Sequence, residues 1–260
     1  MLRLRVLTGV VGVPVLAAAT VFGGLPYLLC VVVPAVIGTL ELTSMAQAAG
    51  GRPLPLISAA LAVAFVGEAA MPGQGLLLIA LALAVVASLL TLMAREDWTG
   101  AIGDWSGSLA APAYVGGLLQ FYVPLRAMPD GVLLVCLVLG CTFLSDTAAF
   151  FVGRRFGRTR LAPRVSPGKS VEGAVAGVVV ATAAALLTGI AVGSWLHLAG
   201  LGLVIGLCAV AGDLLESFLK RQFGAKDSGT IVPGHGGLLD RMDSLLVAVA
   251  GAYMYIVATR

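Results

Sequence analysis

Charge is scarce in this chain. Asp, Glu, Lys and Arg make up 11% of its 260 residues, against 59% hydrophobic ones, whereas a soluble domain carries about 25% charged and 45–50% apolar residues. With a mean hydropathy of +1.03, this excludes an ordinary water-soluble domain. The useful length question becomes how many spans of about 20 residues fit. Histidine is almost missing, with only His197 and His235. The cysteines, Cys30, Cys136, Cys141 and Cys208, stand singly in apolar runs. With no CxxC pair and no His beside them, a zinc or redox role gives way to that of small packing residues. Period-2 alternation is absent too, so the apolar segments read as helices rather than barrel strands, because lipid leaves no backbone amide unpaired. The net charge of +3 is modest, and no nucleic-acid partner is expected.

What is present is a succession of apolar segments. Nine can be counted, at about 6–23, 25–49, 54–71, 75–94, 105–127, 131–152, 172–193, 195–219 and 238–258, the third being the weakest because Glu68 lies near its end. The expected fold class is therefore all-α: a polytopic integral membrane protein with about nine transmembrane helices. Residues 1–260 form a single membrane domain in this reading, in which 1–130 supply scaffold helices and the surface for a homodimer, and 131–260 carry the chemistry. Residues 1–20 have the basic head, apolar run and small-residue tail of a secretory signal. With eight more segments following, and with Arg3 and Arg5 to anchor a cytoplasmic N-terminus, a retained first helix is expected. On that topology, of the 16 Lys and Arg residues only Arg126 and Arg260 fall outside, and Arg241 sits at the cytoplasmic mouth of the last helix. The positive-inside bias supports both the count and the orientation. The longest polar connections, 153–171 and 220–237, both face the cytoplasm in this reading, giving two basic loops over one membrane face.

The scarce charges concentrate between Asp213 and Asp243, where five Asp/Glu, four Lys/Arg and His235 lie between two apolar runs. Asp213, Glu216, Ser217 and Lys220 are spaced i, i+3, i+4 and i+7 and share one helical face. Asp240, Asp243 and Ser244 repeat i, i+3, i+4 at the first turn of the last helix, where negative charge is favoured. Two carboxylate-bearing faces joined by a Gly-rich loop can converge on a divalent cation, and hard oxygen ligands without Cys argue for magnesium over zinc. The loop holds Lys226 and Asp227, then Pro233-Gly234-His235-Gly236-Gly237, whose glycines let backbone approach phosphate. With Lys220 and Arg221 beside it, this is equipment for nucleotidyl or phosphoryl transfer.

In order and spacing, Ser217, Lys220-Arg221, Lys226-Asp227, Pro233-Gly234-His235-Gly236-Gly237 and Asp240-Arg241 followed by Asp243 resemble the signature of the phosphatidate cytidylyltransferase (CDP-diacylglycerol synthase) family. Upstream, Asp146-Thr147 ahead of Gly153-Arg154, and Ser166-Pro167-x-Lys169-x-x-Glu172-Gly173, resemble that family's further elements. The likeness covers roughly the C-terminal half. The upstream part departs from the family at Gly168 and Val171, where a second basic residue and an aromatic are frequent. The ending Pro167-Gly168-Lys169-Ser170 imitates a Walker A loop, but Pro163 stands where its first glycine belongs and no buried strand precedes it.

The resemblance implies that the phosphate of phosphatidate attacks CTP, giving CDP-diacylglycerol and pyrophosphate, at a cytoplasm-facing site of a bacterial inner-membrane protein. It implies magnesium, with a second cation as an addition, on Asp213 and Asp243 with help from Asp240. Which of Asp227 and Asp240 is a ligand and which a structural partner stays open. Lys220, Arg221 and Lys226 would contact phosphates, Ser217 and His235 would orient them, and Ser166, Lys169, Glu172, Gly236, Gly237 and Arg241 would line the substrates. Asp146 and Glu41 are acids inside apolar segments and hence functional candidates, whereas Gly173 and Gly177 read as helix packing. Competing readings are an isoprenoid lipid phosphate as acceptor, a CTP-dependent lipid kinase, and an ion-coupled transporter. Transporter acids lie near the midplane of repeated halves; here they crowd the helix ends and no repeat is visible.

Overall fold

A computed structural model of the protein describes residue 12, residues 14–229 and residues 236–259. Arg3, Arg5, residues 6–11 and 13 of the first apolar segment, residues 230–235 with Pro233, Gly234 and His235, and Arg260 lie outside the described residues. The described chain is helical almost throughout, with helices α1 (Gly24–Ala48), α2 (Pro55–Ala70), α3 (Leu76–Met93), α4 (Ala101–Leu119), α5 (Tyr122–Ala127), α6 (Gly131–Phe156), α7 (Val171–Val192), α8 (Trp195–Gln222) and α9 (Asp243–Thr259). Strands β1 (Arg160–Ala162) and β2 (Ser166–Ser170) stand between α6 and α7, and a 3-10 turn, Leu239–Arg241, precedes α9.

Five helices, α1, α3, α6, α7 and α8, are long and apolar enough to cross a membrane. Helices α2 and α9 are apolar but have 16 and 17 residues, which at 1.5 Å per residue is about 24–26 Å, short of the ~30 Å hydrocarbon layer. The segment expected at 105–127 is two helices, α4 and α5. Pro124 has no amide to donate to the carbonyl of Gln120, so the helix stops and restarts, and the proline falls in the first turn of α5 where a missing donor costs little.

The chain divides into two compact units. The first comprises Met1–Met128 and Phe223–Arg241. In it α1, α2 and α4 pack on one another, and α3 packs on α2 and α4. Its core includes Ala35, Leu61, Ala62, Val66 and Val115, all at most 1% exposed. A polar clasp joins two of its connections: Asp104 accepts from the Arg52 backbone amide and from Arg95 Nη1 at 2.7 Å, while Arg95 Nη2 donates to the Arg52 carbonyl at 2.6 Å.

The second unit comprises Pro129–Gln222 and Met242–Arg260. Helix α7 runs between α6 and α8, and α9 packs on α8. The buried residues of α7 are Gly173, Gly177, Ala181, Ala185 and Gly189, one every four positions. This stripe of small residues lets backbones meet closely, as association in lipid requires. A Cβ on Gly173 would lie 2.7 Å from the Ala149 carbonyl, and one on Gly177 would lie 2.7 Å from Ser145 Oγ. These close approaches agree with the packing role expected of the glycines; of the cysteines, Cys141 is buried and Cys208 lies against Gly251, while Cys136 is exposed.

Candidate active site

The connection after α6 is ordered as a hairpin, with Arg160 paired to Ser170 and Ala162 to Ser166. Its junction with α7 is fixed by two neighbouring side chains. Ser170 caps the helix, its hydroxyl accepting the Gly173 amide at 3.1 Å, and Glu172 accepts the Arg158 and Thr159 amides at 3.1 Å. Glu172 thus ties the hairpin's entry to the first turn of α7, where its charge also suits the helix dipole.

That hairpin roofs a cavity of about 530 Å³ within the second unit. Asp146 and Arg154 reach it from α6, Arg160 and Lys169 from the strands and Asp213 from α8, with Phe150 and Leu161 on its apolar wall. Lys169 Nζ forms an ion pair with Asp213 Oδ1, the two side chains being 24% and 34% exposed. Ser166 starts β2, half-buried, and Arg221 Nε donates to the neighbouring Val165 carbonyl at 3.3 Å. Asp146 also accepts from Ser244 Oγ at 3.3 Å, which ties α6 to the first turn of α9.

Helices α8 and α9 come together at Gly212, where a Cβ would lie 2.5 Å from the Asp243 carbonyl. The bare backbone there sets Asp243 against Glu216 and within electrostatic reach of Asp213. Glu216, with a side chain 0% exposed, pairs with Lys220 at 3.3 Å one turn on. Ser217 is half-buried on the same helix. Asp146, Asp213, Glu216 and Asp243 thus gather in this unit with Lys169 and Lys220 as their ammonium partners. The carboxylates offer oxygen donors of the kind a hard divalent cation takes, and Arg154 and Arg160 line the same cavity beside Lys169. Among the described residues, no three Asp, Glu, His or Cys groups are spaced to hold one metal ion together.

The remaining candidates belong to the first unit. Lys226 and Asp227 are exposed, and so is Arg241 at the end of the 3-10 turn. Asp240 Oδ2 accepts the Ser228 and Gly237 amides, both at 2.9 Å, so this oxygen holds the loop's two ends together. Gly236 has φ +86°, a left-handed conformation in which a side chain would be strained. His235 lies outside the described residues.

Some residues of these neighbourhoods stand outside the motif reading. Arg160 lines the cavity although the sequence offers it only as one of several loop arginines, and Glu216 joins the acids although its spacing was the one hint of it. Ser228 follows Lys226-Asp227 directly, and nothing in its type marks it out.

Comparison with known proteins bears on the whole length. A family model described as the Cytidylyltransferase family matches residues 3–259. A protein of Brucella suis biovar 1 (strain 1330) named phosphatidate cytidylyltransferase is 43% identical over 130 residues, 49% of this chain and 48% of that protein. The chain thus spans about half the length of this relative. Proteins with the same name from Synechocystis sp. (strain ATCC 27184 / PCC 6803 / Kazusa) and Bacillus subtilis (strain 168) are 29% and 28% identical. Those alignments cover 97% and 98% of this chain and 96% and 97% of the relatives. A match that runs from residue 3 to residue 259 leaves almost nothing of the chain outside it, and the chain belongs to the cytidylyltransferase family.

Proposed function

We propose that this protein transfers the cytidylyl group of CTP to the phosphate of phosphatidate, leaving CDP-diacylglycerol in the membrane and releasing pyrophosphate. The observation that carries the reading is the cavity of the second unit, where Asp213 and Asp146 stand with Lys169, Arg154 and Arg160 beside an apolar wall. Cations that can take phosphate, and carboxylates whose hard oxygens suit a divalent cation, beside an apolar wall fit an anionic lipid headgroup and a nucleotide, and a soluble substrate would have no use for the apolar side.

In the reaction a phosphate oxygen of phosphatidate forms a bond to the α-phosphorus of CTP. The bond from that phosphorus to the oxygen bridging to the β-phosphate breaks, and its electron pair leaves with pyrophosphate. The nucleophile is already an anion, so no strong general base is required. Catalysis rests on aligning two polyanions and offsetting the charge that grows on the leaving group. Lys169, Arg154 and Arg160 would receive the lipid phosphate, with Phe150 and Leu161 toward its glycerol end. Lys220, Arg221 and Lys226 would neutralise nucleotide phosphates. Asp213 and Asp243 would hold magnesium, which when bound supplies charge stabilisation to phosphate oxygens. In this reading Asp240 is the loop's structural partner, which leaves Asp227 as the acid available to ligands. The chain would cross the bacterial inner membrane nine times, with this chemistry on the cytoplasmic side.

The test is direct. Purified protein is incubated with magnesium, labelled CTP and either phosphatidate or an isoprenoid phosphate, and label is sought in an organic-soluble product. Label with phosphatidate is the expected result; label only with the isoprenoid phosphate moves the acceptor, and none with either removes the reading.

A further inference from the structure

Glu41 has no part in the mechanism above. It lies two turns before the end of α1, 4% exposed, and its carboxylate accepts three hydrogen bonds from far along the chain. The Leu238 amide donates to Oε1 at 2.8 Å, and the Leu239 amide and Ser228 Oγ donate to Oε2 at 2.8 and 3.0 Å. Ser228 in turn donates its amide to Asp240 Oδ2 at 2.9 Å and accepts the Asp240 amide on its hydroxyl at 3.3 Å. The two ends of the polar loop are therefore fastened to each other through Asp240 and to α1 through Glu41, all within the first unit.

The glycines of the loop have a second explanation in this seat. A Cβ on Gly237 would fall 2.6 Å from Glu41 Oε2 and would collide with Ser228 Oγ, and one on Gly229 would fall 2.9 Å from Glu41 Oε1. Bare backbone at both positions lets the carboxylate in. Three donors on one buried carboxylate over-determine its place, and a buried acid with satisfied oxygens is a rigid support rather than a liability.

We propose that Glu41 is a positioning residue for nucleotide binding. By holding Ser228 on one side and Leu238 and Leu239 on the other, it fixes how Lys226, Asp227 and Gly236 are presented to the phosphates. The proposal rests on the cytidylyl-transfer reading, and its test has one arm that does not.

That arm is hydrogen–deuterium exchange over residues 226–229 and 236–241 in the wild type, in Glu41→Gln, which keeps the shape but turns an acceptor into a donor, and in Ser228→Ala, which removes one donor. Exchange there should speed up about tenfold in Glu41→Gln while α6 to α8 are unchanged, since a buried amide without its acceptor opens more readily. The second arm is steady-state kinetics. KM for CTP should rise about tenfold with KM for phosphatidate within about twofold, and the double variant should be no worse than Glu41→Gln because both changes break one network. Ser228→Ala should show the same pattern at about threefold, and decides the matter if Glu41→Gln does not fold. Unchanged exchange, equal losses for both substrates, or additive effects in the double variant would overturn the proposal. A wild type without cytidylyl transfer would refute the functional reading and leave the exchange arm to decide the role of Glu41.

Discussion

Removing the Lys220 ammonium while keeping its bulk, as Lys220→Met does, should destabilise the protein far more than removing both members of its ion pair. Glu216 is 0% exposed, Lys220 is 14% exposed, and the two charges lie 3.3 Å apart. At an effective dielectric constant of about 20, unit charges at that distance attract by about 5 kcal/mol, and breaking a buried pair from one side costs about 3–5 kcal/mol because a desolvated charge is left behind. For a chain of this size about 2–4 °C of Tm accompanies each kcal/mol, so thermal unfolding in detergent should fall by roughly 6–20 °C. In Glu216→Gln/Lys220→Met no buried charge is stranded, and stability should return to within about 1 kcal/mol of the wild type. Turnover should not return, because the lysine is assigned to nucleotide phosphates. The assay is therefore unfolding and label transfer on the same three preparations. A single variant as stable as the double would refute the buried-pair argument, and an active double variant would refute the phosphate role of Lys220.

Asp213→Asn and Asp243→Asn should each lower turnover by a hundredfold or more, roughly the effect of losing one preorganised electrostatic group, while the protein still inserts and elutes as a single species. Near-normal rates in either would remove the metal assignment. Chelation of magnesium should stop label transfer and its re-addition restore it, with thermal unfolding followed alongside to separate lost chemistry from lost fold. Gly212→Val puts side-chain atoms where a Cβ already lies 2.5 Å from the Asp243 carbonyl; overpacking of about 1–3 kcal/mol and a fall in kcat are expected, and wild-type kinetics would show that α8 and α9 need not meet so closely. Asp104→Asn removes the charge from hydrogen bonds to Arg52 and Arg95, which should cost about 1.5–3 kcal/mol in stability and leave both KM values unchanged.

The helices were legible because lipid demands long apolar runs, and the density of charge from Asp213 to Asp243 was legible because so little charge exists elsewhere. Spacing placed Asp213, Glu216 and Lys220 on one face, and the Glu216–Lys220 pair follows from it directly. What spacing could not reveal were contacts across the chain. Glu41 meets its partners 187 to 198 positions away, and no local pattern encodes that distance. The hairpin from Arg160 to Ser170 was hidden for another reason: its strands are of 3 and 5 residues, too short for alternation to register, and its stability comes from Glu172 and Ser170 rather than from strand-forming residues. The break between α4 and α5 hid behind continuous apolar character, with Pro124 as its sole mark.

The distance between Glu41 and its donors also sets a clock. Leu239 follows Glu41 by 198 residues, and at a synthesis rate of about 5–20 residues per second this separation lasts roughly 10–40 s. Helix α1 is therefore in place well before the amides that satisfy its acid exist. During that interval the nascent protein carries the Glu41 carboxylate without the three donors that later satisfy it. Completion of the loop is then the event that satisfies the acid of α1, and a chain cut short before Leu238 would lack the Leu238 and Leu239 amides that Glu41 accepts.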